Sequence, residues 1–367
     1  MFLKSLHIVN YKNYEECHLS FSPRLNIFTG PNGSGKTNLL DSIYFLCLTK
    51  STSPGSDNLV IRHNEEYMMI QGTMHKNDKK LNLHAGIKKG QKKVFTLNKK
   101  VYEKISEHIG QFPAVIITPY DTDLVREGSE ERRRFFDTVL SQTDSEYLQN
   151  LLKYNKVLKH RNALLKEFAL KNYTDKDLLS SYDIQLLSLG KKIYYKRKEA
   201  MASINPIFYK YYQEVAGTSE QVMLEYESDF MHENYQEEFA RARQKDIVLQ
   251  RTTKGIHKDD FHFGLSGHPL KQIGSQGQQK SFVIALKLSQ YEYIKENSGI
   301  DPILLLDDIF DKLDQSRIQK LIHMIEGNCF GQVFITEAGV DRVEKYFKNL
   351  ETEICTFTVL DGKVMSN

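Results

Sequence analysis

Cysteine is scarce in this 367-residue chain, and the four present (Cys17, Cys47, Cys329 and Cys355) include no CxxC pair. That spacing excludes a cysteine-built zinc cluster, and four scattered thiols are too few for a disulfide framework. They read as reduced thiols of a cytoplasmic protein. Long apolar runs are missing too: none approaches the ~20 residues of a membrane span, so no membrane partner is expected. The opening MFLKSLHIVNYKNYEE turns polar within a few residues, unlike a signal peptide. A dominant charge is also absent. The formal net charge of +3 is too small, by itself, to point to nucleic acid. Internal repeats and low-complexity tracts are not found. What remains, at 40% hydrophobic and 26% charged residues, is a folded globular chain long enough for two or three domains.

The texture changes twice along the chain. In the first third, LKSLHIVNY and LNIFTG read as strands and KTNLLDSIYFLCL as a helix. Alternating apolar residues and turn signals then predict an antiparallel meander from Glu65 to Lys104. Its turns are crowded by Lys79, Lys80, Lys88, Lys89, Lys92, Lys93, Lys99 and Lys100. PAVIITP is a further short strand. From about Ser129 to Gly217 glycine is rare and Pro206 is an internal proline; Leu, Lys, Tyr and Glu recur at helical spacing. Two long helical patterns, EYLQNLLKYNKVLKHRNALLKEF and DLLSSYDIQLLSLGKKIYYKRKEAMASI, predict a hairpin-like arm. Strand and helix then alternate again: QVMLEYES, DFHFGLSGHPLKQI, a helix from Gln278, PILLLDD, DQSRIQKLIHMI, GQVFIT and a last hairpin around LDGKV.

GPNGSGKT, Gly30 to Thr37, follows a strand and opens a helix, the context a P-loop requires. Its backbone N–H groups suit a phosphate, which places Gly30, Pro31, Asn32, Gly33, Ser34, Gly35, Lys36, Thr37 and the following Asn38 at a nucleotide. Lys36 is expected at the β- and γ-phosphates and Thr37 on Mg²⁺. ILLLDD supplies the acidic partner such a site needs at the end of a buried strand. Asp307 is the expected Mg²⁺ partner and Asp308 the residue that holds attacking water. These two motifs lie near opposite ends of the chain yet serve one site. The α/β ends, 1–128 and 245–367, are therefore expected to form one discontinuous head, with 129–244 a mainly helical insertion.

SQGQQ, from Ser275, resembles the signature loop of the ABC ATPases, and DDIFDKLD matches the spacing of that family's next motif, which ends in Leu313–Asp314. The resemblance implies an ABC-type P-loop ATPase head of α/β class, dimerising head to tail. Ser275, Gly277, Gln278 and Asp314 would then meet the nucleotide held by a second copy. Thr336, after VFI, occupies the switch position; it can hydrogen-bond a γ-phosphate but cannot serve as a general base.

An insertion of intermediate length, with LHIVNYKNYEE, ITPYDTDLVREGSEERRRFFD and GIHKDDFHF, is similar over essentially the whole chain to the RecF family of recombination mediators. Pro119-Tyr120-Asp121 departs from that family's usual Pro-Glu or Pro-Asp. The resemblance implies ATP and Mg²⁺ as cofactors, slow hydrolysis as a switch, and an ATP-dependent homodimer on double-stranded and gapped DNA. It also implies RecR as partner, with RecO and RecA in the pathway. The meander lysines and the arm's KYNKVLKHRNALLK and KKIYYKRK give weaker, independent support for binding a nucleic-acid backbone. Arg132, Arg133 and Arg134 are alternative ties between arm and head. The rivals are a transporter's nucleotide-binding subunit, a small-molecule P-loop kinase and a non-hydrolysing nucleotide-gated scaffold.

Overall fold

The computed structural model describes residues 1–366 other than 54, 172, 218–219, 311–312, 328 and 348–351. Asp311 and Lys312 of the DDIFDKLD motif thus lie outside the described residues. The chain packs as two compact units: 1–121, 210–217 and 280–367 form the first, and 122–209 with 218–279 the second.

The first unit is built on two sheets. One is antiparallel: β1 (Phe2–Tyr11), β2 (Tyr14–Ser20), β4 (Tyr67–Lys76), β5 (Lys79–Lys88), β6 (Val94–Leu97) and β7 (Lys100–Val101), in the order β2-β1-β4-β5-β6-β7. The other contains β3 (Leu25–Thr29), β8 (Ala114–Ile117), β12 (Ile303–Leu306), β13 (Val333–Glu337), β14 (Ile354–Leu360) and β15 (Lys363–Ser366), ordered β15-β14-β3-β13-β12-β8. From β14 to β8 its pairings are parallel. The inner strands β3, β12 and β13 are buried at every residue, which explains why they read as unbroken apolar runs.

Helix α1 (Lys36–Leu48) packs against strands of both sheets. Leu39, Leu40, Ile43, Phe45, Leu46, Cys47 and Leu48 are all buried, so the helix has no polar face, as expected of one covered all round. Each such leucine, isoleucine or phenylalanine contributes roughly 1.5–3 kcal/mol relative to exposure. The rest of this unit is largely α9 (Gln315–Glu326), α10 (Val340–Phe347) and most of α8 (Gln276–Ser298).

The second unit holds α2 (Asp123–Arg126), α3 (Ser129–Thr143), α4 (Ser145–Lys171), α6 (Tyr235–Leu249), α7 (Leu270–Ile273), and most of α5 (Lys176–Ala216). It also holds a three-stranded sheet, β11-β10-β9, from β9 (Val222–Glu227), β10 (Asp260–Leu265) and β11 (His268–Pro269). The sequence reading draws the arm at 129–244, whereas packing groups residues through 279 with the helices. The cause is visible in β10, which forms a six-residue ladder with β9. Asp260 at its start receives a two-pronged bond from Arg132 (2.9 and 2.9 Å). Arg133 donates to the Asp259 carbonyl and Arg134 pairs with Glu130 and Glu131, so all three arginines serve the second unit itself.

Two arginines form its polar centre. Arg161 is fully buried between Asp183 (2.7 Å) and Asp246 (2.8 Å). Arg197 is equally enclosed by Asp137, Asp259 and Tyr147. No described helix is long and apolar enough to cross a membrane.

Replacing Arg161 with Met strands two buried carboxylates, although Asp183 keeps Arg243 as a partner. Urea unfolding followed by helical circular dichroism is expected to register a loss of about 3–5 kcal/mol. The exposed Arg134→Met change should stay within about 0.5 kcal/mol of the parent.

Candidate nucleotide site

Three strands deliver the site to one edge of the parallel sheet. β3 ends in the P-loop, β12 ends at Asp307, and β13, which lies between them, carries Thr336 near its end. Carboxyl ends of adjacent parallel strands are where α/β sheets place ligands. The Thr37 and Thr336 hydroxyls both donate to Asp307 Oδ1, each at 2.9 Å. Thr336 Oγ accepts in turn from the Asp308 backbone N–H at 2.8 Å. Burial pushes the Asp307 carboxyl above its usual range, and the two hydroxyl bonds pull the other way.

Asp308 follows in a left-handed conformation, φ 50°, uncommon for a residue with a Cβ. Its Oδ1 is buried and has no hydrogen-bond partner among the described residues. Ser34 Oγ is in the same condition. Buried acceptors left without donors are costly, so they mark places where a ligand or water completes the site. A cavity of about 210 Å³ opens here, lined by Asn32, Gly33, Gly35, Lys36, Thr37, Asn38, Asp308 and Thr336.

The loop has its own supports. At Gly30 φ is 145°, and a Cβ there would collide with the Val359 carbonyl; only glycine fits. A Cβ at Gly35, φ 114°, would strike the Asn13 amide. Asn13 accepts from Asn38 (2.6 Å) and donates to the Ser34 carbonyl (3.4 Å), while Tyr14 OH donates to the Gly35 carbonyl (3.0 Å). Gly362 N–H also bonds the Ser34 carbonyl. Asn13, Tyr14 and the β14–β15 turn are thus part of the site, and sequence reasoning missed them. The available signal was NYKNYEE, a turn rich in hydrogen-bonding side chains. Lys36 Nζ donates to the Gly30 and Pro31 carbonyls at 2.7 and 3.0 Å.

Lys36, Thr37, Asp307, Asp308 and Thr336 are therefore brought together, with the loop Gly30–Asn38 around them. Ser275, Gly277 and Gln278 belong to the second unit, at the start of α8. Ser275 and Gln278 form a reciprocal capping box: Ser275 N donates to Gln278 Oε1 (2.8 Å) and Gln278 N to Ser275 Oγ (3.2 Å). Asp314 caps α9 by accepting from Arg317 N and pairs with the Arg317 guanidinium; the backbone bond first, and the guanidinium after it, hold its carboxyl below the usual range. It does not line the cavity. Near Pro119, Tyr120 is 77% exposed while Asp121 pairs with Lys287 at 2.7 Å.

The basic segments divide. Lys79, Lys80, Lys88, Lys89, Lys92, Lys99 and Lys100 are exposed. Lys93 is pinned to the Thr49 carbonyl and Asp57. Arg161 and Arg197, counted in the arm's positive stretches, are buried ion-pair centres.

A parallel sheet carrying a P-loop, an acidic strand end and a hydroxyl switch at one edge, beside an antiparallel sheet, defines the ABC-type P-loop ATPase fold. Residues 2–355 match the family described as RecF/RecN/SMC N terminal domain. The chain is 48% identical to a DNA replication and repair protein RecF of Cytophaga hutchinsonii, covering 99% of this chain and 96% of that one. It is 47% identical to that of Flavobacterium johnsoniae, covering 95% and 97%. A solved structure of the recombination mediator protein RecF with ATP, in the RecFOR pathway, superposes with TM-score 0.88 at 28% identity, over 100% of this chain and 99% of that one. An Smc head domain from Pyrococcus furiosus shares the fold alone, with TM-score 0.57 at 15% identity over 100% and 96%. The chain belongs to the RecF family of DNA replication and repair proteins.

Thr336→Val keeps the shape but removes a donor from Asp307 and the acceptor of Asp308 N–H. Chemical denaturation should show a loss of about 1–3 kcal/mol, and Thr336→Ser should recover most of it.

Proposed function

We propose that this chain is an ATP-gated DNA-binding protein of recombinational repair. ATP closes it into a dimer on DNA, slow hydrolysis releases it, and the clamped form helps RecR load RecA at gaps. The cytoplasm is its compartment. The observation that carries the nucleotide assignment is the Thr37–Asp307–Thr336 junction beside the unpartnered Asp308 oxygen. It has the donor set of an Mg²⁺-nucleotide site, and the ATP complex of the similar RecF supports it.

Thr37 and Asp307 would hold Mg²⁺, which when bound neutralises phosphate charge. Lys36 exchanges its loop carbonyls for phosphate oxygens. Asp308 Oδ1 accepts a proton of the attacking water and orients it, and Thr336 keeps that backbone in register through Asp308 N–H. With hydroxyl and carboxylate only, the site lacks a strong base, in keeping with a switch that turns over slowly.

Ser275 supplies the second half of the site, in a partner copy. It is exposed at the head of a 23-residue helix, where the first-turn N–H groups have no intrahelical acceptor. Its oxygen accepts from Gln278 N–H, which leaves the hydroxyl proton for a phosphate. Gly277 adds close backbone approach, and the helix dipole favours the anion. Asp314 is the proposed companion contact. The exposed meander lysines are the proposed DNA-backbone contacts.

Gel filtration is expected to show a monomer without nucleotide and a dimer with ATP and duplex DNA. Ser275→Arg should abolish the dimer while fluorescent-ATP binding persists; lost ATP binding would refute the trans site. Lys36→Met should lose nucleotide binding or hydrolysis. DNA affinity should fall on the order of 10³-fold between 50 and 200 mM salt, whatever the sequence. A salt-insensitive complex would remove the lysines from the interface.

A further inference from the structure

On the antiparallel sheet, β1 and β2 place three metal-ligand side chains on one outer face. His7 lies directly opposite His18 in the ladder, and Glu16 precedes His18 by two residues, hence on the same face. Buried Leu6, Ile8, Cys17 and Leu19 alternate with them and fill the inner face. Both imidazoles turn Nε2 to the same carboxylate oxygen: His7 at 3.0 Å and His18 at 3.2 Å from Glu16 Oε1. The two rings stack with centroids 3.6 Å apart and planes 17° from parallel.

We propose that His7, Glu16 and His18 form a divalent-metal site with a preference for zinc. All three ligand atoms lie within 4.8 Å of one another. In a tetrahedron with bonds of about 2.05 Å, ligand atoms stand roughly 3.3 Å apart. The two His–Glu separations already match that spacing, and the two histidine ligand atoms lie within 4.8 Å of each other. Two imidazoles and one carboxylate suit zinc and leave one coordination position open, as in sites that keep a water.

The surroundings have room for it. His7 and His18 line a trough of about 440 Å³ on the open sheet face, with Gln71, Thr73, Asn82, His84, Thr96 and Lys99. The register carries one polar row across five strands, His18–His7–Gln71–His84–Thr96. Lys99, the lone cationic side chain of the lining besides histidine, follows β6. That is three strands from β1 and four from β2, roughly 14 Å from His7 and roughly 19 Å from Glu16 and His18 at ~4.8 Å per strand. A bound ion would tie edge strand β2 to β1, the strand that leads into the Asn13 turn beneath the P-loop.

The test uses the full chain, stripped with a chelator and free of Mg²⁺ and nucleotide, titrated with Co²⁺ and Zn²⁺ separately. The expected result is one Co²⁺ per chain, with the visible bands of a tetrahedral nitrogen–oxygen site and no thiolate band, displaced by Zn²⁺. His7→Asn, His18→Asn and Glu16→Gln should each weaken Zn²⁺ binding by ~100-fold or more, at least what loss of an outer-shell partner costs. Zn²⁺ should also raise the melting temperature of the parent and not of these variants. Folding of each variant is checked by its metal-free melting curve, which at these partly or largely exposed positions should match the parent. No saturable binding to the parent, a thiolate band, or equal affinity in the folded His18→Asn chain would overturn the site.

Discussion

A buried carboxylate must be given donors, and at Asp307 they come from Thr37, in the first turn of α1 after the β3 loop, and from Thr336 on β13. That requirement ties the carboxyl ends of β3, β13 and β12 to one point. It also determines which side chains can face the phosphate loop, because β13 must lie between the loop strand and the acidic strand. The same junction fixes Asp308, whose backbone N–H is spent on Thr336 and whose carboxylate oxygen is left without a donor. A loop held open by Asn13, Tyr14 and Gly362 then offers its amides to whatever completes the set. The fold thus builds one half of a charged site rigidly and leaves its last bonds unmade.

Much of this was legible before any coordinates. KTNLLDSIYFLCL is α1 residue for residue, since a helix buried between two sheets carries a dense apolar run and starts at the P-loop lysine. ILLL and VFIT read as covered strands for the same reason. The rest depended on tertiary partners. YEECHLS is a strand because β1 pairs with it, not because its charged residues favour one. The quoted pattern of the arm's second helix ends at Ile204, whereas the helix itself continues through Pro206 to Ala216. It runs on because Phe208, Tyr211, Tyr212 and Val215 keep the apolar spacing beyond it. The helices α3 and α6 begin inside the segment read as mainly helical but were given no bounds of their own, because their stretches are highly charged.

Charge was the most misleading signal. Arg161 and Arg197 sit among lysines and read as surface, yet each is enclosed by two aspartates that lie far away in sequence. No periodicity reveals such a partner. The lysines at the β-turns, by contrast, stay exposed because a turn has no core to face. The residues that line the cavity lie in segments the motifs marked, whereas Asn13 and Tyr14 went unread, since bracing a loop from behind leaves no sequence motif. At SQGQQ the structure adds a capping box between Ser275 and Gln278, a bond that leaves the Ser275 hydroxyl proton free.

The central claim is that the P-loop of one copy and the Ser275 loop of another make one site. Mixing the Lys36→Met and Ser275→Arg chains tests it directly, by DNA-stimulated ATP hydrolysis. In a mixed dimer one site carries both lesions and the other carries none. The account predicts that hydrolysis absent from either chain alone returns in the mixture, to at most half the parent level. A mixture as inactive as its components, although both chains are folded, would contradict it.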